Sequence, residues 1–307
     1  MILVVFGILA SAGIGGGVEH RWPVASARLS ARAIQVLLYG LMPFVTFFSL
    51  ARLDLGANGV GVGLLLGWAE ILCVAAIAWT VSSRLLHLDR VVAGTVTVGC
   101  LLANTGYLGV PLNAALLGRD AIGPAIAWDV AISGPMLFTF GFGIAAACGT
   151  AAGDTARDRL KAFLTRNPPL LALVAGLLVP DALAPDVLVS VAHDAAIALL
   201  PLGFFVLGVH LRREQEDGTI RFLPPLTREV GLVLGLRLLA APALFALFAL
   251  SLPEVPDAYR LQAAMPCGIN ALIAAHTYGL DLRLAASAVG WSTAVGVAAA
   301  GLAGVVS

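Results

Sequence analysis

Apolar residues in this chain run in long blocks, separated by short stretches that hold most of the charges. Most blocks exceed the ~20 residues that an α-helix needs to cross a ~30 Å hydrocarbon core. The pattern predicts ten crossings, over 2–18, 33–51, 58–82, 91–117, 121–148, 167–183, 187–211, 228–252, 256–279 and 283–306. Leu9-Ala10-Ser11-Ala12 imitates a signal-peptide cleavage site, but no Lys or Arg precedes it, so the first block is read as a retained helix.

Orientation follows from the charges between blocks. Connections after the odd-numbered spans carry Arg21, Arg28, Arg32, Arg84, Arg90, Arg157, Arg159, Lys161, Arg166, Arg212, Arg213, Arg221, Arg228 and Arg283, fourteen in all. The opposite face carries three, Arg52, Arg119 and Arg260, and Arg237 lies within a span. Positive charge is retained in the cytoplasm, which puts both termini outside a bacterial-type inner membrane.

Two blocks are interrupted at corresponding places. The fourth contains Asn104-Thr105-Gly106-Tyr107-Leu108-Gly109-Val110-Pro111, and the ninth contains Met265-Pro266-Cys267-Gly268-Ile269-Asn270. Proline removes a backbone donor and glycine relaxes the backbone, so both predict breaks. Unwound backbone at bilayer depth is tolerated where protein covers it or it lines a cavity. The start of each second half-helix then offers free N–H groups and a partial positive charge suited to an anion, with Asn104 and Asn270 beside them. The polar connection near 149–166 divides the chain into five-span halves, 1–148 and 167–307. Five is odd, so the halves enter the membrane from opposite sides. Pro43 with Phe47 in span two and Pro201 with Phe205 in span seven echo one another, as expected of an inverted repeat with a substrate site between its halves.

Composition narrows the function. At 60% hydrophobic, 12% charged and a mean hydropathy of +0.96, this is no ordinary soluble domain. Zero formal net charge removes the case for a nucleic-acid partner. Neither His-Glu-x-x-His nor Gly-x-Ser-x-Gly occurs, and Cys267 and His276 are nine residues apart, about 13 Å along a continuous helix. An enzyme is not expected. There is no ATP-binding Gly-x-x-x-x-Gly-Lys loop, so a gradient drives any transport within this chain. Cys73, Cys100, Cys148 and Cys267 show no metal-ligand spacing and read as small packing residues. No cofactor is expected.

Glu70, Asp129 and Arg237 fall inside spans, where an ionisable group costs at least ~2.5 kcal/mol and needs a partner, water or a function. Glu70 and Asp129 are therefore ion-coupling candidates. The structural alternatives are an ion pair with Arg237, or Arg237 snorkelling to the cytoplasmic end of its helix. His193, Asp194 and His276 sit near span ends and read as interfacial.

The stretch 104–112, together with 263–272, Tyr278-Gly279-Leu280-Asp281 and Ala285-Ala286-Ser287, resembles the auxin efflux carrier family, bacterial relatives of the plant PIN-formed exporters. Pro201 to Leu211 resembles its seventh helix, and the likeness extends over essentially the whole chain. It departs at Cys267-Gly268, where many bacterial members carry other small residues, and the chain lacks the long cytoplasmic loop of many plant members. The resemblance implies an all-α, ten-helix carrier of the bile-acid-symporter and sodium–proton-antiporter fold type. Spans one, two, six and seven would form a scaffold, and the rest a transport domain in which spans four and nine cross. It implies Asn104 as a substrate-carboxylate ligand and Pro111 and Pro266 as crossover prolines. Malate, malonate and auxin-like acids are the implied substrates, and a homodimer the implied assembly. The expected substrate site comprises Asn104, Thr105, Gly106, Tyr107, Gly109, Cys267, Gly268, Ile269 and Asn270. The expected coupling ion is a proton, or sodium held by backbone carbonyls and the Asn oxygens.

Overall fold

The computed structural model describes residues 2–51, 60–118, 121–153, 155–180, 183–216, 226–250 and 255–306. Arg52, Arg119 and Arg221 of the charge tally lie outside the described residues, as do positions 58–59, 181–182 and 251–252 of the expected spans.

Among the described residues the protein is helical, with one isolated β-bridge. In chain order the helices are α1 (Ile2–Arg21), α2 (23–50), α3 (60–85), α4 (Arg90–Leu101), α5 (105–116) and α6 (Ile122–Cys148). There follow α7 (Ala156–Thr165), α8 (Pro168–Leu178), α9 (Asp186–Glu216), α10 (Arg228–Ala249), α11 (Asp257–Ala263), α12 (Asn270–Tyr278) and α13 (Leu282–Val306). Five stretches among them are long and apolar enough to cross a membrane: Pro23–Phe48, Gly61–Leu85, Ile122–Cys148, Arg228–Ala249 and Leu282–Leu302. This is a helical, membrane-embedded chain. Helices α4 and α5, at twelve residues each, reach only about 18 Å.

Two boundaries differ from the hydropathy reading. Helix α2 starts at Pro23, ten residues before its expected apolar block, because Ser26 and Ser30 are buried rather than solvated. Hydropathy reports depth in lipid, not helicity. The central connection also contains a helix, α7, whose N-cap Thr155 accepts from the Asp158 backbone N–H at 3.1 Å.

Four prolines inside these helices widen them instead of breaking them. Pro43, Pro111, Pro135 and Pro242 each stand two residues after a π-helical turn, over Leu37–Leu41, Thr105–Gly109, Asp129–Ser133 and Leu236–Ala240. A proline ring collides with the carbonyl four residues back. Opening the turn to an i→i+5 pattern relieves that collision and re-aims the side chains within it. At Pro135 the displaced carbonyl belongs to Ala131, and the Trp68 indole N–H takes it at 3.1 Å.

Helix α1 packs along α9, and α2 packs against α8 and α9. The α1–α9 seam is a close backbone approach: a Cβ at Gly208 would land on the Ala12 carbonyl, and one at Gly15 on the Phe205 carbonyl. A bidentate pair closes one end of it, Arg213 Nε and Nη2 donating to Glu19 at 2.9 and 3.0 Å, and Ser26 donates to the same carboxylate. Helices α3 to α6 and α10 to α13 pack around the two interruptions. Trp128, Phe245 and Tyr259 stack edge-on or tilted at 5.2–5.3 Å in their core.

Candidate functional site

The α4–α5 and α11–α12 helices are each interrupted, and the interruptions touch. Leu102 turns extended after α4, and Ala103 forms an antiparallel bridge with Cys267. The Asn104 N–H donates to the Pro266 carbonyl at 2.8 Å, and the Gly268 N–H donates to the Leu102 carbonyl at 2.6 Å. Each break thus supplies the other with the partners that a continuous helix would have supplied. The approach requires glycine at 268, where a Cβ would sit 2.9 Å from the Ala103 carbonyl oxygen.

The first interruption falls at 102–104, upstream of the position expected from the motif. Pro111 is in the first turn of the α-helical part of α5, and its effect is the π turn over Thr105–Gly109. Pro266, by contrast, lies within the second break and its carbonyl is part of the bridge.

Three π turns bring the polar groups in. Thr105 opens one, Asp129 another, and Arg237 lies in the third. Thr105 Oγ1 is 2.5 Å from Asp129 Oδ1 and 2.7 Å from Ser133 Oγ. With one proton per hydroxyl, Thr105 donates to the carboxylate and accepts from Ser133. Gly106 leaves room for that carboxylate, since a Cβ there would be 2.8 Å from Asp129 Oδ2.

Arg237 is wholly buried and does not snorkel. Its Nε donates to the Met265 carbonyl at 2.9 Å, Nη1 to Cys100 at 3.3 Å, and Nη2 to Ala263. Glu70, also wholly buried, faces it with Oε1 3.6 Å from Nη1, an ion pair without hydrogen-bond geometry. The two carboxylates expected to couple ions are therefore apart in role: Glu70 is matched to a guanidinium, Asp129 to hydroxyls.

Asn104 is 2% exposed, and neither of its amide atoms has a hydrogen-bond partner among the described residues. Asn270, at the start of α12, is partly exposed, and its buried Oδ1 has no hydrogen-bond partner among the described residues. Cys267 is buried with its N–H on Ser292 Oγ at 3.1 Å, and Ile269 packs where a Cβ on Gly203 of α9 would stand. Tyr107 is partly buried in the π turn, and Gly109 lies against the Gln262 carboxamide. The His193 and Asp194 side chains lie outside the description, and His276 is exposed in the last turn of α12.

Gln262 escaped the sequence reading. Its Nε2 donates to the Thr105 carbonyl at 3.2 Å and the Ala125 carbonyl at 2.8 Å, tying α11 to α5 and α6. The signal was a lone carboxamide four residues before Pro266 in an apolar block. Ser292 gave no comparable signal.

Comparison with known proteins bears on what such a junction does. A family model described as "Membrane transport protein" matches residues 160–300, which include the second interruption. An "Uncharacterized transporter" of Methanothermobacter thermautotrophicus is 27% identical over 280 residues, covering 84% of this chain and 83% of that protein. With the paired motifs at 104–112 and 263–272, these matches make the chain similar to known membrane transport proteins.

Proposed function

We propose that this protein is a secondary active transporter of small organic anions, carboxylates such as malate, malonate or auxin-like acids. The observation that carries the reading is Asn104, a buried carboxamide with no hydrogen-bond partner among the described residues, set in the bridge between two broken helices. Leaving such a group unmatched costs about 1–3 kcal/mol, a cost that a ligand able to accept and donate would offset. The adjoining helices α5 and α12 begin at Thr105 and Asn270, and helix starts favour negative charge. A carboxylate meets the second condition and accepts from Asn104 Nδ2, and the hydroxyl of a hydroxy acid such as malate supplies the donor for Oδ1.

In this reading the ten apolar segments form two inverted five-helix repeats, with both termini outside the cytoplasmic membrane. Helices α1, α2, α8 and α9 form the scaffold, a grouping supported by their mutual packing and the glycine seam. The rest move as an elevator-like transport domain carrying the junction. Asp129, one hydroxyl away from the Asn104-Thr105 backbone, is the proton-coupling residue.

The competing reading is a sodium–proton exchanger with Glu70 and Asp129 as ligands. Glu70 is already matched by Arg237, which leaves that exchanger a single carboxylate and favours the anion carrier. Uptake of labelled malate, malonate and indole-3-acetate into proteoliposomes, with Asn104→Ala alongside, tests the proposal. Loss of uptake in the variant is the expected result. Equal uptake by both proteins rules out Asn104 as the ligand, and sodium-driven vesicle acidification indifferent to all three anions favours the exchanger.

A further inference from the structure

Two helix C-termini converge on one side chain at the junction. Cys100 lies in the last turn of α4, Ala263 ends α11, and Met265 follows it. Carbonyls at helix C-termini have no intrahelical partner and carry the negative end of the macrodipole. All three carbonyls accept from Arg237, and the Glu70 carboxylate faces the same guanidinium. Three carbonyl oxygens and a carboxylate around one centre are all-oxygen ligands of the kind that hard cations take.

We propose that Arg237 is a tethered cation, filling the position between the two breaks that an alkali ion would otherwise take, so that this transporter binds no sodium there. Three features of the geometry support this. The guanidinium reaches both interrupted elements at once, from residues 26, 28 and 137 positions away in sequence. Both members of the pair are fully buried, so the charge is not exchanged with solvent. Placement in the π turn Leu236–Ala240, opened by Pro242, sets the arginine on the α10 face that meets the breaks. Since Arg237 and Glu70 cancel, the pair adds no net charge to the junction. Attraction for an anion is then left to the helix starts and Asn104, and Arg237 is a positioning residue, not a substrate ligand. The transport consequence rests on the carrier reading above; the binding consequence does not.

The test uses the purified full-length protein and reads thermal unfolding by tryptophan fluorescence in NaCl, KCl or choline chloride at equal ionic strength. Wild type is expected to melt at the same temperature in all three salts. Arg237→Ala is expected to melt at least about 5 °C lower in choline and to recover part of that loss with millimolar guanidinium or sodium. Arg237→Lys, which keeps the charge but not the fork of donors, is expected to fall between them. Glu70→Gln/Arg237→Gln is expected to fold and to show no cation response, and it stands in if Arg237→Ala fails to fold. Selective stabilisation of wild type by sodium overturns the proposal, as does an Arg237→Ala protein indifferent to every cation or a double variant that still responds to sodium. In the proteoliposome assay, replacing sodium by choline leaves wild-type uptake unchanged. If no carboxylate is transported but the melting results hold, the carrier reading fails and the tethered cation stands.

Discussion

The two interruptions are alike in backbone and unlike in side chains. At the second, Ala263 and Met265 present carbonyls to Arg237, Pro266 presents its carbonyl to Asn104 N–H, Cys267 N–H rests on Ser292, and Gly268 N–H reaches Leu102. At the first, the backbone is provided for in the same way, through Cys100, Leu102 and Asn104 N–H, but the Asn104 side chain is not. Its counterpart Asn270 is partly exposed, and one of its amide atoms, not both, is buried without a partner. The difference separates two tasks. Backbone-to-backbone satisfaction and Arg237 make a break stable at depth, where an unpaired peptide group costs several kcal/mol. In the proposed function, the unmatched carboxamide makes one break the binding site.

Six substitutions probe that division, from the strongest effect downward. Arg237→Leu leaves Glu70 without its counter-charge and three carbonyls without their donor, and is expected to cost about 3–5 kcal/mol in stability. Adding Glu70→Leu is expected to return part of it, measurable as a double-mutant cycle of melting temperatures. Gly268→Ala pushes a methyl against the Ala103 carbonyl and is expected to cost about 1–3 kcal/mol. If it melts like wild type, the bridge is less tight than described. Asn104→Ala is expected to lose uptake at least about tenfold, equivalent to about 1.4 kcal/mol, while melting at or above the wild-type temperature. Asn270→Ala should lose less, and equal losses at both positions would erase the contrast between the breaks. Ser292→Ala removes the acceptor for Cys267 N–H and is expected to cost about 1 kcal/mol with uptake little changed.

The interruptions were legible because Pro and Gly act locally: Asn104-Thr105-Gly106 and Pro266-Cys267-Gly268 stand out against apolar surroundings. Their geometry was less so. Pro111 looked like a breaker and turned out to widen a helix, since a proline in a membrane segment has a cheaper course than unwinding when the next turn can open by one residue. Arg237 was visible as an intramembrane charge, but its three carbonyl partners were not, because any carbonyl looks alike in sequence. Gln262 was visible only as a carboxamide in an apolar block.

What the chain's order of residues determined alone is the set of membrane-length blocks, the two places where helices cannot continue, and the few polar groups placed at that depth. Those depend on composition and on neighbours a few positions away. The tertiary structure alone decided which orphan groups find each other: Arg237 with Cys100, Gly268 with Leu102, Gln262 with Ala125, each across more than a hundred residues. Hydrogen-bond pairing depends on distance and direction in space. That pairing leaves the Asn104 carboxamide out, with both of its polar atoms buried and unmatched among the described residues.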